Sequence, residues 1–595
     1  MGLLQEDAEW ITAMHEVSSY ASSRKVRETF AIILHYCQPS EPNTLFETFF
    51  DQLSDDFLLH EATAQNCPTD AIDTAFIHNQ VLLAIDDELA QMGSRLSNHN
   101  DMPQPTPLTE QEKLTQIFRS EKFNITQQEE IVQLLAPKLN DEQMALFEAV
   151  YLAVHTPKEE AITRQFILNA PAGYGKTFTF KVIAAKIRAE RGIVLCVGST
   201  GLAAQNLEGG RTAHSRFKIP IPIFEDSVCA INAQSCLAKL IKESNLIIWD
   251  EIFSVNRFNV ECVERTLRDL MHSQQPWGGK TVLLGGDPRQ TLPVIKRASR
   301  AQIVTACIQM SPLYPGMNHH KLQTNMRTDA AEKHFSNYLL TLGEGKPTQD
   351  TELQVQIPPQ HLVHDLNTLI AYTFPDLQNG CGDKDNLLKG TVYTPLNTDI
   401  REINNICLAD FPGEERVYFS ADSILEDDHK DSLPVEFLNS LTPSGIPDHT
   451  LKLKRGAPVM LLRNLQAGPD RTLKNGTRMV VLQMMDKVIE CQIAVGTNKG
   501  ENIYLPRIPH YDRSGEFPFT FIRRQFPIRL AFAVTINKGQ GQENERVGIY
   551  LPQPVFAHGQ LYTAFSRGKR ASAVKVFIVG NAEGITDNIV YSELF

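Results

Sequence analysis

APAGYGKT, at residues 170–177, directly follows the apolar run Phe166-Ile167-Leu168. A strand that breaks into a loop of small residues and continues as Gly-Lys-Thr is typical of a P-loop, whose backbone N–H groups surround phosphates. In that arrangement Lys176 reaches the β and γ phosphate oxygens, and the Thr177 hydroxyl binds Mg²⁺. The helix predicted from Phe178 to Arg191 adds its positive dipole end to the same anion site. The sequence therefore predicts a site for a nucleoside triphosphate.

One position of this stretch departs from the usual pattern, which opens with Gly six residues before the Lys. That position is Ala170 here. Alanine is compatible with the loop where its φ is negative, whereas a left-handed conformation would cost about 1 kcal/mol or more. A phosphate-binding loop therefore requires a negative φ at this residue.

Composition sets broad limits on the protein class. A chain of 595 residues predicts three or four domains, and 42% hydrophobic with 21% charged residues is typical of a globular protein. The sequence contains no run of eighteen apolar residues and no secretory h-region, so we expect no membrane span and no signal peptide. Ten cysteines without metal-ligand spacing predict buried thiols in a reducing compartment. A net charge of −13 neither supports nor excludes DNA binding, because a local basic groove can still hold a phosphate backbone.

The pattern of apolar and polar residues changes along the chain. Helical periodicity runs over residues 1 to about 100, with Val26, Phe30, Ile33, Leu34 and Cys37 on one face, and a Pro-rich break follows at 102–107. From about residue 138 apolar strands alternate with amphipathic helices, which predicts a parallel α/β sheet. Its predicted strands lie at 165–169, 193–198, 245–249 and 281–285. Short β-like runs between 450 and 505 predict a small β-barrel-like insertion.

Two further strand ends carry polar groups. Leu246-Ile247-Ile248-Trp249 leads into Asp250-Glu251, which in an NTPase site hold Mg²⁺ and orient or deprotonate the attacking water; a surface acidic pair is the alternative. The run at 282–293, VLLGGDPRQTLP, delivers Gln290 to a strand end, a position suited to a γ-phosphate sensor. Phosphoryl transfer also needs positive charge, for which Arg327 and Arg567 are the candidates; a solvated side chain is the alternative for each.

The ordered motifs resemble those of Pif-type (petite integration frequency) superfamily-one DNA helicases. DEQ at 141–143 is similar to the adenine-reading motif, and GSTGLAA at 198–204 is similar to the next helicase motif. GGDPRQTLPV, TNMR, AFAVTINKGQGQ at 531–542 and HGQLYTAFSR at 558–567 follow in the same order. The resemblance covers about residues 138–580. Departures from the family pattern include Tyr174 in place of Thr, Pro288 in place of Phe and Gly539 in place of Ser.

Finer features resemble the helicase region of Helitron rolling-circle transposons. They include GRTAHSRFKIP at 210–220, TLRDL at 266–270, SRAQIV at 299–304 and GLLQEDAEW at 2–10. The sequence has no His-hydrophobe-His nuclease motif, so the resemblance implies a separate or lost nuclease module.

The resemblance implies an α/β fold with two RecA-like P-loop domains. The expected domains are a helical N-terminal region at 1–100, a linker with lead-in helices at 101–137, and a first RecA-like domain at 138–345. A second RecA-like domain is expected at 346–450 and 506–595, with the small β-barrel-like insertion at 451–505.

The resemblance also implies ATP and Mg²⁺ as cofactors and assigns roles residue by residue. Catalytic roles fall to Lys176, Glu251, Gln290, Arg327 and Arg567. Nucleotide contacts fall to Gln143, Pro171, Ala172, Gly173, Tyr174, Gly175, Lys176, Thr177 and Gly541. Thr177 and Asp250 are the expected Mg²⁺ ligands. Thr200, His214, Phe217, Asn537 and Lys538 are the candidates for contacts with the DNA strand, with core packing as the alternative for Phe217.

The expected function is an ATP-dependent 5′-to-3′ DNA helicase that moves on single-stranded DNA and acts at forks. Its expected roles are recombination, repair, telomere or genome maintenance, or rolling-circle transposition, in the nucleus and without a membrane. Two alternatives stay open. A catalytically weak nucleic-acid-binding relic predicts ATP binding without turnover, and a P-loop ATPase that remodels proteins predicts turnover that single strands do not stimulate.

Overall fold

A computed structural model provides the coordinates of the chain. The structure describes residues 7–65, 68–106, 114, 117–118, 121–157, 160, 162–295, 297–325, 332–345, 354–379, 384–425, 433–466, 472–496, 498–512, 517–581 and 583–595. The chain forms two compact units. The first unit contains Met1–Leu108, Leu377–Leu388 and Asn404–Phe532, and the second contains Thr109–Asp376, Lys389–Ile403 and Ala533–Phe595.

The helices are numbered in chain order. They are α1 (Ala8–Ser18), α2 (Ser23–Ile32), α3 (Pro42–Thr48), α4 (Phe50–Gln65), α5 (Thr74–Gln91), α6 (Ile125–Leu135), α7 (Asp141–His155), α8 (Lys176–Ala189), α9 (Gly201–Gln205), α10 (Ala213–Phe217), α11 (Cys236–Glu243), α12 (Arg257–Met271), α13 (Arg300–Thr305), α14 (Lys333–Glu344), α15 (Leu366–Thr373), α16 (Lys384–Leu388), α17 (Asn397–Asp410), α18 (Val435–Ser440) and α19 (Gln560–Phe565). None of the helices in the described ranges is long and apolar enough to cross a membrane.

The strands are numbered in the same way. They are β1 (Gln165–Asn169), β2 (Val194–Gly198), β3 (Arg211–Thr212), β4 (Leu246–Asp250), β5 (Thr281–Gly286), β6 (Asn318–Lys321), β7 (Gln354–Gln356), β8 (Gly390–Thr394), β9 (Arg416–Phe419), β10 (Ala421–Ile424), β11 (Thr450–Leu453), β12 (Pro458–Leu461), β13 (Leu465–Gln466), β14 (Thr472–Leu473), β15 (Arg478–Met484), β16 (Val488–Ile493), β17 (Asn502–Pro506), β18 (Ile508–Tyr511), β19 (Phe521–Gln525), β20 (Ile528–Leu530), β21 (Ala533–Thr535), β22 (Arg546–Leu551), β23 (Val574–Ile578) and β24 (Ile585–Asp587).

The first sheet of the second unit is parallel, with the strand order β3-β2-β4-β5-β1-β6. The four strands predicted from the sequence are confirmed to within one residue at each end. Successive residues of each strand face opposite sides, so Ile247 and Trp249 enter one apolar cluster while Leu246 and Ile248 enter another. Because both faces are covered, the four inner strands β2, β4, β5 and β1 read as mostly apolar runs, whereas the edge strands β3 and β6 are polar.

A second parallel sheet in the same unit has the order β21-β8-β22-β23. Its strands come from segments far apart in the chain, with β8 at 390–394 and the others after residue 532. The predicted fold class, α/β with two RecA-like sheets, is confirmed by these two sheets. The carboxyl ends of such parallel strands are where ligand sites collect.

The first unit combines the N-terminal helices with a β-rich region. The predicted helical face is confirmed, because Val26, Phe30, Ile33 and Leu34 are buried in one apolar core and Cys37 packs against it. Met485, Val488 and Tyr504 of the β-rich region belong to the same core. The Glu16 carboxylate also accepts hydrogen bonds from the backbone N–H groups of residues 486–488. Through these contacts the helices and the β-rich region form a single compact unit.

The β-rich region differs from the predicted insertion at 451–505. Its strands begin with β9 at Arg416 and end with β20 at Leu530. The reason is long-range pairing: β10 pairs with β19, and β12 pairs with β20, across about 70 to 100 residues of sequence. Residues 404–450 and 506–532, predicted in the second RecA-like domain, therefore lie in the first unit.

The lead-in region is only partly described. Met102 is buried in the N-terminal core, and α6 follows at Ile125–Leu135. Much of 107–120 lies outside the described residues. The predicted linker at 101–137 therefore stays a prediction over that stretch.

Candidate nucleotide site

The predicted P-loop connects β1 to α8, both in the second unit. Gly173 and Gly175 have φ values of 91° and 88°, a left-handed conformation that favours glycine. Ala170 is not among the residues with positive φ, and its N–H donates to the Gly286 carbonyl at 3.0 Å. The alanine therefore fits the loop without backbone strain. Helix α8 begins at Lys176, so its N-terminal N–H groups border the loop.

The acidic pair lies at the end of β4. Asp250 and Glu251 are 2% and 7% exposed, and Glu251 has a left-handed φ of 58°. A non-glycine residue in that conformation stores backbone strain, which is frequent at functional sites. The Asp250 Oδ1 accepts a hydrogen bond from the Glu251 N–H at 2.8 Å. This local turn fixes both carboxylates at the strand end.

Lys176 joins the loop to the acidic pair. Its Nζ contacts Asp250 Oδ1 directly and lies 2.8 Å from Glu251 Oε1. Burial alone would lower the pKa of Lys176, but the two carboxylates outweigh it and hold that pKa above its ordinary value. Burial raises the pKa of Asp250. For Glu251 burial acts upward too, but Lys176, Arg567 and Gln540 outweigh it and lower the pKa.

The segment after β5 contributes two polar side chains. Gln290 is 4% exposed, and its Oε1 has no hydrogen-bond partner among the residues that the structure describes. Asp287 is 2% exposed and accepts hydrogen bonds from the Arg289 N–H at 3.1 Å and from the Tyr562 hydroxyl at 2.6 Å. A buried amide oxygen without a partner is costly, so Gln290 is ready to accept a hydrogen bond from a ligand or a water.

The second sheet contributes groups from β21 onward. Gln540 donates from Nε2 to Glu251 Oε2 at 3.2 Å and accepts from the Thr291 hydroxyl at 2.9 Å. Gly541 has a φ of 80°. Arg567 is 3% exposed. Its guanidinium donates to the carbonyls of Thr563, Gly539 and Gln542 and to the Ser566 hydroxyl.

The P-loop, the acidic pair, Gln290 and Arg567 line one cavity of about 480 Å³. Its lining includes most of the predicted site: Pro171, Ala172, Gly173, Gly175, Lys176, Thr177, Asp250, Glu251, Gln290, Gly541 and Arg567. Lys138, Ala170, Phe178, Asn206, Glu543 and Ser566 complete it. Tyr174 is buried beside the loop, where desolvation raises the pKa of its phenol, and is not among the lining residues.

The residues present fit a nucleotide with Mg²⁺. One lysine faces two buried carboxylates, so the cluster carries excess negative charge that a divalent cation would neutralise. Asp250 and Thr177 both line the cavity, and their carboxylate and hydroxyl oxygens are of the kind that would hold Mg²⁺. The loop N–H groups and the α8 N-terminus favour phosphate.

Gln143 is the predicted contact with the adenine. It is fully buried, and its Oε1 accepts from the Asn140 N–H in a capping box at the start of α7. Its Nε2 donates to the Tyr174 carbonyl at 3.2 Å. These two bonds hold Gln143 against the P-loop, and the residue is not among those that line the cavity. Its predicted contact with the adenine stays a prediction.

The candidates for DNA contacts have different surroundings. Phe217 is 1% exposed and packs near Trp249, so the predicted strand contact is wrong for this side chain and core packing explains it. Thr200 caps α9 by accepting from the Ala203 N–H. His214 is half-buried, which lowers its pKa.

Two further candidates lie in the short 3₁₀ helix Ile536–Gly539, which follows β21. Asn537 accepts from Gln560 Nε2 at 3.3 Å, and the Lys538 carbonyl accepts from Gln542. The remaining arginine candidate, Arg327, lies outside the described residues.

Besides the additional lining residues, three polar residues that bond to the site from beside the cavity were not predicted from the sequence. Gln540, Tyr562 and Asp287 all stand inside the quoted motifs, but their types have no fixed role at strand ends. The signal available was position alone: Gln540 adjoins Gly541, and Tyr562 is five residues before Arg567. Their partners are up to 289 residues away, and only the folded structure shows them.

The fold and the cavity define a P-loop nucleotide-binding protein with two RecA-like sheets. The PIF1-like helicase family model matches residues 138–353, and the model for the DNA helicase Pif1 2B domain matches residues 436–484. The predicted resemblance to Pif-type helicases is confirmed over these two ranges, where the chain is similar to the PIF1-like helicase family and to the Pif1 2B domain. The 2B match falls within the β-rich region of the first unit.

Curated relatives and solved structures agree with this relationship. The ATP-dependent DNA helicase PIF1 of Danio rerio is 28% identical over 452 residues, covering 74% of this chain and 61% of that protein. The ATP-dependent DNA helicase Pif1 of Campylobacter jejuni is 24% identical over 431 residues, covering 69% of this chain and 88% of that protein. The crystal structure of Bacteroides Pif1 bound to ssDNA has a TM-score of 0.53 at 24% identity, covering 74% of this chain and 92% of that one. The chain spans 61% and 59% of the Danio rerio and Xenopus laevis relatives, less than two thirds of their length.

Proposed function

We propose that this chain is an ATP-dependent DNA helicase that moves on single-stranded DNA in the 5′-to-3′ direction. The observation that carries the proposal is one cavity lined from both sheets. Lys176 at the start of α8 and Glu251 after β4 belong to the first sheet's side, and Arg567 follows α19, between β22 and β23 of the second sheet. A nucleotide in such a cavity makes contacts with both sheets. Its binding and hydrolysis then bias how the two sheets are arranged.

Within this proposal each side chain has a defined task. The P-loop and Lys176 bind the phosphates of ATP, while Thr177 and Asp250 would hold Mg²⁺, which supplies positive charge to the phosphate oxygens. Glu251 orients and deprotonates the attacking water, and the free Gln290 Oε1 accepts a hydrogen bond from that water. Arg567 stabilises the negative charge that develops during phosphoryl transfer.

The substrate assignment rests on the relatives. Those proteins are named as ATP-dependent DNA helicases, and one Bacteroides structure contains ssDNA. Thr200, His214, Asn537 and Lys538 remain the proposed contacts with the strand, and Arg327 remains a proposed second arginine of the site. Contacts with phosphates and base stacking would tolerate any sequence.

The finer assignments belong to the same proposal. They are recombination, repair, telomere maintenance or rolling-circle transposition, action at forks, and a nuclear location. The relatives include vertebrate and bacterial proteins, so a nuclear location rests on the vertebrate ones. The Helitron resemblance and the separate or lost nuclease module stay predictions.

ATP hydrolysis with and without single-stranded DNA tests the proposal. We expect strong stimulation by DNA in the wild type and a loss of about 10²–10³-fold or more in Lys176→Ala, because a preorganised charge at the phosphates is removed. Lys181→Ala is the matched control, since Lys181 lies exposed on the same helix. Circular dichroism checks that both variants fold.

The outcomes separate the alternatives. ATP binding without turnover in either condition would favour the catalytically weak relic. Turnover that DNA does not change would favour a protein-remodelling ATPase and contradict the helicase assignment. Unwinding of duplexes with a 5′ or a 3′ tail then tests polarity, and a preference for the 3′ tail would contradict the proposed direction.

A further inference from the structure

Tyr562 places a fully buried hydroxyl between the two sheets of the second unit. The residue lies on α19 and is 1% exposed. Its Oη donates to Asp287 Oδ2 at 2.6 Å and accepts from the N–H of Ala172 in the P-loop at 3.2 Å. One hydroxyl therefore links the P-loop, the segment after β5 and the helix after β22.

The directions of these two bonds follow from the chemistry of the groups. An ionised carboxylate only accepts, so the phenol proton lies toward Asp287, and a phenol lone pair is left for the Ala172 N–H. Burial and the Asp287 charge raise the pKa of Tyr562 well above its ordinary value, so the hydroxyl keeps its proton. Both bonds therefore persist at neutral pH.

Asp287 extends the link to the first sheet. Its Oδ1 accepts from the Arg289 N–H at 3.1 Å and lies 3.3 Å from Arg289 Nη1. The same guanidinium donates to Asn169, the last residue of β1, at 3.4 Å and to Glu344 at the end of α14 at 3.0 Å. The hydroxyl is thus one member of a connected polar network, in which losing one bond weakens the others.

The helix that carries Tyr562 also fixes Arg567. Arg567 follows five residues later, and its Nε donates to the Thr563 carbonyl, one residue after Tyr562. Its Nη2 donates to the Ser566 hydroxyl. The position of the Arg567 charge relative to the P-loop therefore depends on how α19 is held against that loop.

We propose that Tyr562 is a positioning residue for ATP turnover, whose hydroxyl holds the P-loop at a fixed distance from the helix that carries Arg567. This inference rests on the proposed function for its effect on turnover. Its effect on the P-loop can be measured without any activity. Tyr562 contacts the loop and Asp287, and it is not among the residues that line the nucleotide cavity.

Tyr562→Phe removes the one oxygen and keeps the ring. The Ala172 N–H and Asp287 then each lose a partner in a buried site. We expect kcat to fall about 10- to 100-fold while the Kd for ADP changes less than about threefold, because a misplaced Arg567 acts in the transition state. Tyr550→Phe is the matched control, since Tyr550 is a buried tyrosine of β22 that does not line the cavity.

Hydrogen exchange of the full chain without nucleotide gives the second readout. We expect the peptide that contains Ala172 to exchange faster in Tyr562→Phe than in the wild type and to be unchanged in Tyr550→Phe. Asp287→Ala removes the acceptor and keeps the tyrosine, and it should act in the same direction. This second variant tests the link if Tyr562→Phe does not fold.

The outcomes are separable from those of the proposed function. Unchanged exchange in both site variants would overturn the inference, as would a loss of ADP affinity equal to the loss of kcat. A wild type without ATP turnover would defeat the helicase proposal. The hydrogen exchange of the peptide that contains Ala172 would still show whether the Tyr562 hydroxyl restrains the P-loop.

Discussion

The two sheets contribute to the cavity in opposite ways. In the first-sheet half, the charged groups pair with each other, since Lys176 contacts both Asp250 and Glu251. In the second-sheet half, the guanidinium of Arg567 is held by backbone carbonyls and the Ser566 hydroxyl. In the first half a lysine is ion-paired with two carboxylates, whereas in the second half the hydrogen-bond acceptors of the arginine are neutral.

This difference bears on how the site would work. Lys176 must share its contacts with phosphates when a nucleotide binds, so the first-sheet half changes partners. Arg567 keeps its carbonyl partners and can act on developing charge without rearranging, which is the preorganisation that electrostatic catalysis needs. We infer that Lys176 contributes to nucleotide binding as well as to turnover, whereas Arg567 contributes mainly to the rate.

Replacing Arg567 tests this difference between the two halves and has the largest expected effect. We expect Arg567→Ala to lower kcat about 10³-fold, within the range known for such arginines, and to change ADP affinity little. Single-turnover kinetics and ADP titration measure the two effects. Arg570→Ala is the control, because Arg570 is exposed just beyond α19. An equal loss in affinity and in rate would break the comparison.

Gln540 gives the next largest effect. It connects the two halves through Glu251 and Thr291, and its replacement leaves the Glu251 Oε2 without this donor. We expect Gln540→Leu to lower kcat about 10- to 100-fold, since a misoriented base slows proton transfer. Thr291→Val removes only the hydrogen bond from the Thr291 hydroxyl to Gln540, so it should lower kcat less than Gln540→Leu does. A larger loss in Thr291→Val than in Gln540→Leu would contradict this order.

Some of this site follows from the sequence, for a physical reason. Lys176, Asp250 and Gln290 each follow an apolar strand, and the carboxyl ends of parallel strands meet at one edge of a sheet. Spacing along the chain was therefore enough to bring them together. Four strands of the first sheet were predicted to within one residue at each end because they are short apolar runs bounded by turns, whereas the polar edge strands β3 and β6 were not predicted.

The rest depends on contacts that spacing does not encode. Gln143 was expected to contact the adenine. Its side chain is fully buried, and its amide bonds to the Asn140 N–H and to the Tyr174 carbonyl. Phe217 was a candidate for DNA contact, but it is buried in the core. The predicted β-barrel-like insertion was shorter than the β-rich region, because β12 pairs with β20, about 70 residues later. Each of these outcomes is set by a partner distant in sequence.

A smaller effect is expected when Gly539 is replaced by Ser, the residue usual at this position in Pif-type helicases. A Cβ at this position would overlap the Tyr393 ring, so the glycine here fits the tyrosine beside it. We expect Gly539→Ser to destabilise the fold by about 2 kcal/mol, the usual cost of overpacking, and to displace the neighbouring Gln540. Urea unfolding measures the cost. Gly316→Ser is the control, because a Cβ there meets nothing within 4 Å; equal costs would contradict the expected overlap.

The smallest expected effect is a pH dependence at His558, which joins the two halves. Its Nδ1 accepts from the Tyr591 N–H at 2.8 Å, so the proton lies on Nε2, which donates to the Pro288 carbonyl at 2.9 Å. Burial lowers the pKa of His558 to about 4. The folded state disfavours the charged form of His558. The contribution of this histidine to the free energy of unfolding is therefore complete above about pH 6.5 and falls as the pH drops toward 4.

We expect a loss of about 1.4 kcal/mol between pH 7.5 and pH 5.5 from this one group. His558→Asn keeps a donor and an acceptor but does not titrate, so urea unfolding of this variant should depend less on pH. His510 of the first unit is also buried with a lowered pKa, to about 3, and it titrates equally in both proteins. The difference between them therefore isolates His558. An identical pH dependence in the two proteins would show that the link to Pro288 does not hold His558 neutral.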